Sequence, residues 1–172
     1  MSEPQDRKHV TIYTDGACIG NPGPGGYGTV LLYKGRRREI SRGYRDTTNN
    51  RMEVLAAIVG LEALGEPCRV TLFSDSQYLV HAISKGWAQR WQANGWKRNK
   101  KERALNPDLW ERLLAACERH DVEFEWVRGH AGNTENECCD RLATQAAEFS
   151  STEIDSVYEL LSSSNDGGAR LL

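Results

Sequence analysis

The chain alternates between two periods of apolar and polar positions. Residues 9–15 (HVTIYTD) are rich in β-branched and aromatic side chains and predict a strand. Residues 27–33 and 38–44 predict two more, with Lys34-Gly35 near the turn of a hairpin. Between the first two, GNPGPGG at 20–26 predicts a turn, because glycine and proline interrupt regular structure. Over 49–64 the pattern becomes helical; Thr48 or Asn49 can cap the start, and Gly65 and Pro67 end it. A short apolar strand at 70–74 and a helix at 76–84 follow. Residues 86–103 are polar and carry tryptophans, which predicts a short helix and then a basic loop. Asn106-Pro107 opens a helix to about residue 119, with proline suited to the first turn. Residues 122–127 predict a fifth strand. A last helix is expected from Thr134 to about Phe149, where Thr134 and Glu137 form a capping-box pattern.

Three consecutive strands followed by alternating helices and strands predict an α/β domain, a mixed sheet with helices on its faces. The 172 residues suit one domain, spanning 1–149, with 86–103 as a basic protrusion. Residues 150–172 are acidic and Ser-rich and are expected to be a disordered tail, although Ile154, Val157, Tyr158 and Leu161 fall at the spacing of one short helix.

Composition narrows the class. At 39% apolar and 27% charged residues the chain reads as soluble and globular. No apolar run approaches the roughly 20 residues of a membrane span, and the opening MSEPQDRKH lacks the apolar core of a secretory signal. A cytoplasmic location is therefore expected. The five cysteines contain no CxxC pair and no zinc spacing, so they are expected to be small buried hydrophobes in a reducing compartment. The net charge of −2 hides a division. Residues 148–172 carry Glu148, Glu153, Asp155, Glu159 and Asp166 against Arg170, whereas 85–103 carry Lys85, Arg90, Lys97, Arg98, Lys100, Lys101 and Arg103 against Glu102. A basic block of that density points to a polyanionic partner, although a solvated face has the same composition.

The chemistry lies in acids at strand ends. Asp15 and Asp75 close the first and fourth strands, where ligands bind in open α/β sheets; alone, either could be a turn former. Glu53 shares a helix face with Ala56, Ala57 and Gly60, small residues that let the helix approach the sheet. An acid on that buried face requires a cation or hydrogen bonds. Asp140 follows ten residues after His130 in a glycine-flanked loop. Four converging carboxylates repel unless a cation joins them, and hard oxygen donors select Mg²⁺ or Mn²⁺ over zinc. Such a set implies phosphoryl transfer.

TDGACIGNPGPGGYG, TTNNRMEVLAA, SDSQYLV and WVRGHAGNTENECCDRLA together resemble the signature blocks of type-1 ribonuclease H, in that family's order, over roughly residues 8–148. The resemblance implies the ribonuclease H-like fold, a five-stranded mixed sheet of three antiparallel strands and then two parallel ones. It implies an endonuclease that hydrolyses the RNA strand of RNA–DNA hybrids with one or two Mg²⁺ ions, Mn²⁺ being a possible substitute, and leaves 5′-phosphate and 3′-hydroxyl ends. Asp15, Glu53, Asp75 and Asp140 would be the metal-binding carboxylates, and His130 would move protons or release product. Asn21, Thr48, Asn49, Asn50 and Gln77 match positions that touch the hybrid, and the protrusion, with Trp87, Lys97, Arg98, Lys100 and Lys101, would grip the DNA strand. Read without the resemblance, Asn21 is a turn residue, Asn49 or Asn50 a cap, and the tryptophans of 87–96 pack on one another. Gln92, Ala93 and Asn94 stand where relatives often carry basic residues, which weakens the expectation of tight hybrid binding.

Two rival readings share parts of this pattern. Integrases and resolvases also cluster carboxylates but are not expected to carry TTNNRME or GHAGN; a non-catalytic hybrid-binding module would not need all four acids. A stand-alone monomeric enzyme, with no membrane partner, is the expectation.

Overall fold

The computed structural model describes residues 6–170. Strands β1 (His9–Cys18), β2 (Gly23–Tyr33) and β3 (Arg36–Thr47) form an antiparallel meander. Helix α1 (Asn49–Glu62) leads to β4 (Arg69–Ser74), then to α2 (Gln77–Ser84), α3 (Trp87–Ala93) and α4 (Pro107–Arg119). Strand β5 (Asp121–Trp126), helix α5 (Thr134–Phe149), strand β6 (Ser151–Glu153) and helix α6 (Ser156–Arg170) complete the order. The sheet runs β5-β4-β1-β2-β3-β6, with β4 parallel to both β1 and β5. The α/β class and the five main strands are as the pattern implies; a sixth, short strand is added at the β3 edge.

Burial explains the arrangement. Helix α1 is buried nearly all round: Met52, Val54, Ala56, Ala57, Ile58 and Leu61 have no exposed surface. It crosses β1 and β2 closely because the Thr29 hydroxyl, fully buried, donates to the Ala56 carbonyl at 2.8 Å. Trp110 of α4, also fully buried, meets Tyr78 and Trp91 with ring centroids 5.2 and 6.0 Å away. The tryptophans of the protrusion are thus packing residues that stand α3 on α2 and α4. Among the described residues no helix is long and apolar enough to cross a membrane, and all five cysteines are free thiols.

Four local expectations change. The stretch 20–26 is a turn only to Pro22; Gly23–Gly26 already belong to β2, where the missing side chains of Gly25 and Gly26 make room for Met52 of α1 and for Ala143 and Ala146 of α5. Strand β1 continues past Asp15 to Cys18, so Asp15 lies within it. The cap of α5 is Asn133, whose side chain accepts from the Asn136 amide at 3.0 Å, so Thr134 and Glu137 do not make the box. The segment after residue 149, expected to be disordered, instead pairs Ser151 with Gly43 and enters α6 through a buried Asp155. Backbone pairing and one buried ion pair hold it, and neither leaves an apolar period in the sequence.

Candidate active site

Asp15 lies at the carboxyl-end half of β1, and Asp75 directly follows β4. The parallel register pairs Thr14 with Ser74, so the two acids emerge side by side at one end of the sheet. Glu53 reaches them from the first turns of α1, where Thr48 caps the helix by accepting from the Arg51 amide at 3.2 Å. Carboxylate oxygens of Asp15, Glu53 and Asp75 all lie within 4.8 Å of one another.

A glycine makes that approach possible. A Cβ on Gly16 would sit 2.5 Å from the Glu53 amide nitrogen, so any other residue would push α1 off the sheet and withdraw Glu53. Gly129 plays the same part on the far side: a Cβ there would lie 2.8 Å from Asp75 Oδ2, so the loop carrying His130 rests directly on the acid. The Trp126 indole donates to the Asp75 carbonyl at 3.1 Å and helps fix the same corner. None of these three residues stood out in the sequence as part of a site; the glycine-rich blocks TDGAC and RGHAG were the only signal.

The electrostatics are those of a site built for a cation. Asp15 and Glu53 are 4% and 5% exposed, and no ion pair among the described residues involves either acid or Asp75. Burial, then the Asp75 charge, pushes the Asp15 carboxyl up to about 8. Burial, then the Asp15 charge, raises Glu53 well above the ordinary carboxylate range. One Glu53 oxygen, Oε2, is buried without any hydrogen-bond partner. Two unit charges 4.8 Å apart repel by about 3–4 kcal/mol at an effective dielectric near 20. A lone buried acceptor among hard oxygen donors is what a divalent cation would complete. Asp140, on α5, stands outside the trio but close enough for its charge to raise Asp15 further.

Residues 7–148 match the family RNase H. A protein of Desulforamulus reducens called Ribonuclease H is 68% identical over 148 residues, covering 86% of this chain and 93% of that one. One of Syntrophus aciditrophicus with the same name is 69% identical over 152 residues, covering 88% of each. The chain belongs to the ribonuclease H family. A crystal structure of LC9-RNase H1, described as a type 1 RNase H with the type 2 active-site motif, superposes with a TM-score of 0.74 at 36% identity, covering 82% of this chain and 72% of that one.

The other residues singled out in the sequence lie on four segments: the β1–β2 turn, the heads of α1 and α2, the β5–α5 loop with the start of α5, and the protrusion of α3 with its loop. Asn21 sits in the β1–β2 turn and accepts from the Asn49 amide at 2.9 Å, which ties that turn to the head of α1. Thr48, Asn49 and Asn50 form that head, and Gln77 begins α2 two residues after Asp75. His130 is exposed, with φ of 56°, in the β5–α5 loop. Glu137 is exposed in the first turn of α5. Trp87 lies edge-on to His81 at 6.0 Å, with the Lys85 ammonium 5.4 Å from its ring centre. Lys97, Arg98, Lys100 and Lys101 are exposed on a loop closed by the Lys97–Arg103 bridge, and Arg98 pairs with Glu102. The structure brings three of the four acids into one cluster, Asp140 beside it, and stands the basic block apart on α3 and its loop.

Proposed function

We propose that this chain cuts the RNA strand of RNA–DNA hybrids as a divalent-metal-dependent endonuclease, leaving 5′-phosphate and 3′-hydroxyl ends. The observation that carries the reading is the Asp15–Glu53–Asp75 cluster, with Asp15 and Glu53 buried and Glu53 Oε2 unpartnered, in a chain of the ribonuclease H family. The high identity to relatives named Ribonuclease H supports the reaction class.

Asp15, Glu53 and Asp75 would hold Mg²⁺, or Mn²⁺ in its place, with Asp140 completing the shell. Bound there, one or two such ions would supply Lewis acidity toward the scissile phosphodiester and the attacking water. The chain itself does the positioning. Gly16 and Gly129 keep Glu53 and the His130 loop against the aspartates. His130, exposed on the loop that Gly129 seats against Asp75, would help to move protons or release product. Asn21, Thr48, Asn49 and Asn50 at the head of α1, and Gln77 at the start of α2, would offer neutral hydrogen-bonding groups suited to backbone and sugar contacts. Lys97, Arg98, Lys100 and Lys101 add positive charge for the second strand, with Trp87 on the same protrusion. Free thiols in all five cysteines support a cytoplasmic enzyme, which we take to act as a monomer.

Labelled hybrid, single-stranded RNA and duplex DNA, each with and without Mg²⁺, test the reading. Cleavage of the hybrid's RNA strand alone, and only with metal, is expected. Equal cleavage of single-stranded RNA, or cleavage in EDTA, would overturn it.

A further inference from the structure

Helix α6 faces Asn21, Thr48 and Asn50, which the proposed function assigns to hybrid contact, across a shared groove. Its entry residue, Asp155, is 9% exposed and accepts from the Thr47 hydroxyl at 2.7 Å and from Arg51 Nε and Nη2 at 2.7 and 2.9 Å. One turn on, Glu159 takes a forked contact from Arg45, with Nε at 3.0 Å and Nη2 at 2.7 Å. Both anchors grip the joint between β3 and α1, the segment that presents Thr48, Asn49 and Asn50. The placement of α6 is therefore coupled to the residues expected to touch substrate.

A cavity of about 500 Å³ results. Asn21, Thr48 and Asn50 form one wall and Tyr158, Leu161 and Ser162 of α6 the other, with Leu105 to Asp108 at the end. The charge behind it is already committed: Arg51 is paired with Asp108 at 2.7 Å and with Asp155. Asn106 is also committed, accepting from Arg51 and donating to the Tyr78 hydroxyl at 3.2 Å each. The Asn21 oxygen takes the Asn49 amide; its nitrogen, the Asn50 side-chain amide and the hydroxyls of Tyr158 and Ser162, which pair with each other and keep further lone pairs for a ligand, are the neutral groups on the two walls. Serine, asparagine and tyrosine side chains are among the common partners of nucleic-acid phosphates and sugars. The apolar Leu105 and Leu161 beside them suit the carbon face of a sugar.

We propose that α6 is a second wall of the hybrid groove, in which Tyr158 and Ser162 hydrogen-bond the sugar–phosphate backbone of one hybrid strand. The inference rests on the proposed function and adds two contacts that the ribonuclease blocks, which end at about residue 148, do not contain. Being neutral, these contacts add affinity without releasing counterions.

The test is the full-length double variant Tyr158→Phe, Ser162→Ala against the parent. Hybrid binding is measured by anisotropy of a labelled duplex with Ca²⁺ in place of Mg²⁺ at several salt concentrations, together with steady-state cleavage and thermal unfolding. Loss of two neutral hydrogen bonds should raise Kd and KM about three- to tenfold, with kcat within about twofold and the unfolding temperature unchanged. The salt slope should match the parent's, whereas replacing Lys97 and Lys100 with alanine should reduce it by up to about one unit per phosphate contact. Unchanged or tighter hybrid binding by the double variant would overturn the proposal, as would a reduced salt slope. If the unfolding temperature falls as well, Ser162→Ala alone decides: weaker binding at parental stability supports the wall, and parental binding refutes it. A parent that binds hybrid but cuts nothing would refute the nuclease reading, while the binding arm would still decide the role of α6.

Discussion

Two buried clusters of charge share helix α1 and are rooted two residues apart. Arg51 faces Asp108 and Asp155 and satisfies both with paired hydrogen bonds of 2.7–3.0 Å. Glu53 faces Asp15 and Asp75, all three of one sign, with one oxygen left alone. The first cluster is balanced by the chain itself and ties β3, α1, α4 and the C-terminal segment together. The second is balanced only by something added. Burial is alike at Arg51 and Glu53, 3% and 5% exposed, so depth does not distinguish structural from functional charge here. The presence or absence of an internal counter-charge does.

The contrast breaks most sharply at Asp75. Asp75→Asn should reduce hybrid cleavage below detection while leaving apo stability equal to the parent's or higher, since one repelling charge is gone. Substantial turnover, or a clear loss of stability in the metal-free protein, would erase the distinction between the clusters.

At the balanced cluster the effect should fall on stability. Asp155→Ala leaves the Arg51 guanidinium buried with fewer partners and should cost about 3–5 kcal/mol in denaturant unfolding. Replacing Arg51, Asp108 and Asp155 together by apolar residues of similar volume should recover much of that loss. A cost below about 1 kcal/mol for Asp155→Ala, as for an exposed pair, would show that α6 is only loosely attached.

The third difference is in pH. Asp15 ordinarily titrates near 3.8 and is raised to about 8 in the folded chain, and Glu53 moves in the same direction. With folded values above unfolded ones, the folded state binds more protons. Metal-free stability is therefore fully present below about pH 4 and is lost as pH rises toward about 8, at up to about 1.4 kcal/mol per pH unit for each proton difference. Unfolding in EDTA from pH 5 to 8.5 should show Asp15→Asn gaining on the parent as pH rises. A gap that stays constant with pH would mean that the acids are not held protonated. Divalent cations should bind more tightly across the same window, because binding displaces those protons.

The smallest effect is expected from His130, which belongs to neither cluster. His130→Ala should lower kcat about ten- to a hundredfold, toward the range of a lost acid–base group. Hybrid affinity in Ca²⁺ and unfolding temperature should stay with the parent's. Single-turnover and steady-state rates across pH 6–9 would check this; full activity in the variant would leave His130 as an exposed loop residue.

The sequence alone determined the order of the main elements, the acids and the family they resemble. Glu53 was legible because three small residues on its helix face announced a close approach to the sheet, and that is how α1 lies. Asp15 and Asp75 were legible because each follows a run of β-forming residues. Only the tertiary structure decided the rest. That β1 and β4 are neighbours in register is a long-range pairing, and from it follows the distance between the two aspartates. Nothing local in NNRME singles out Arg51, whose partners Asp108 and Asp155 lie 57 and 104 residues away. The last segment looked disordered because its composition cannot build a core, yet it needs none: β6 is held by backbone pairing with β3, and one buried carboxylate anchors α6. Local periodicity reports which face of an element seeks burial. It is silent about partners brought together across a hundred residues, because those are chosen by the packing of the whole chain.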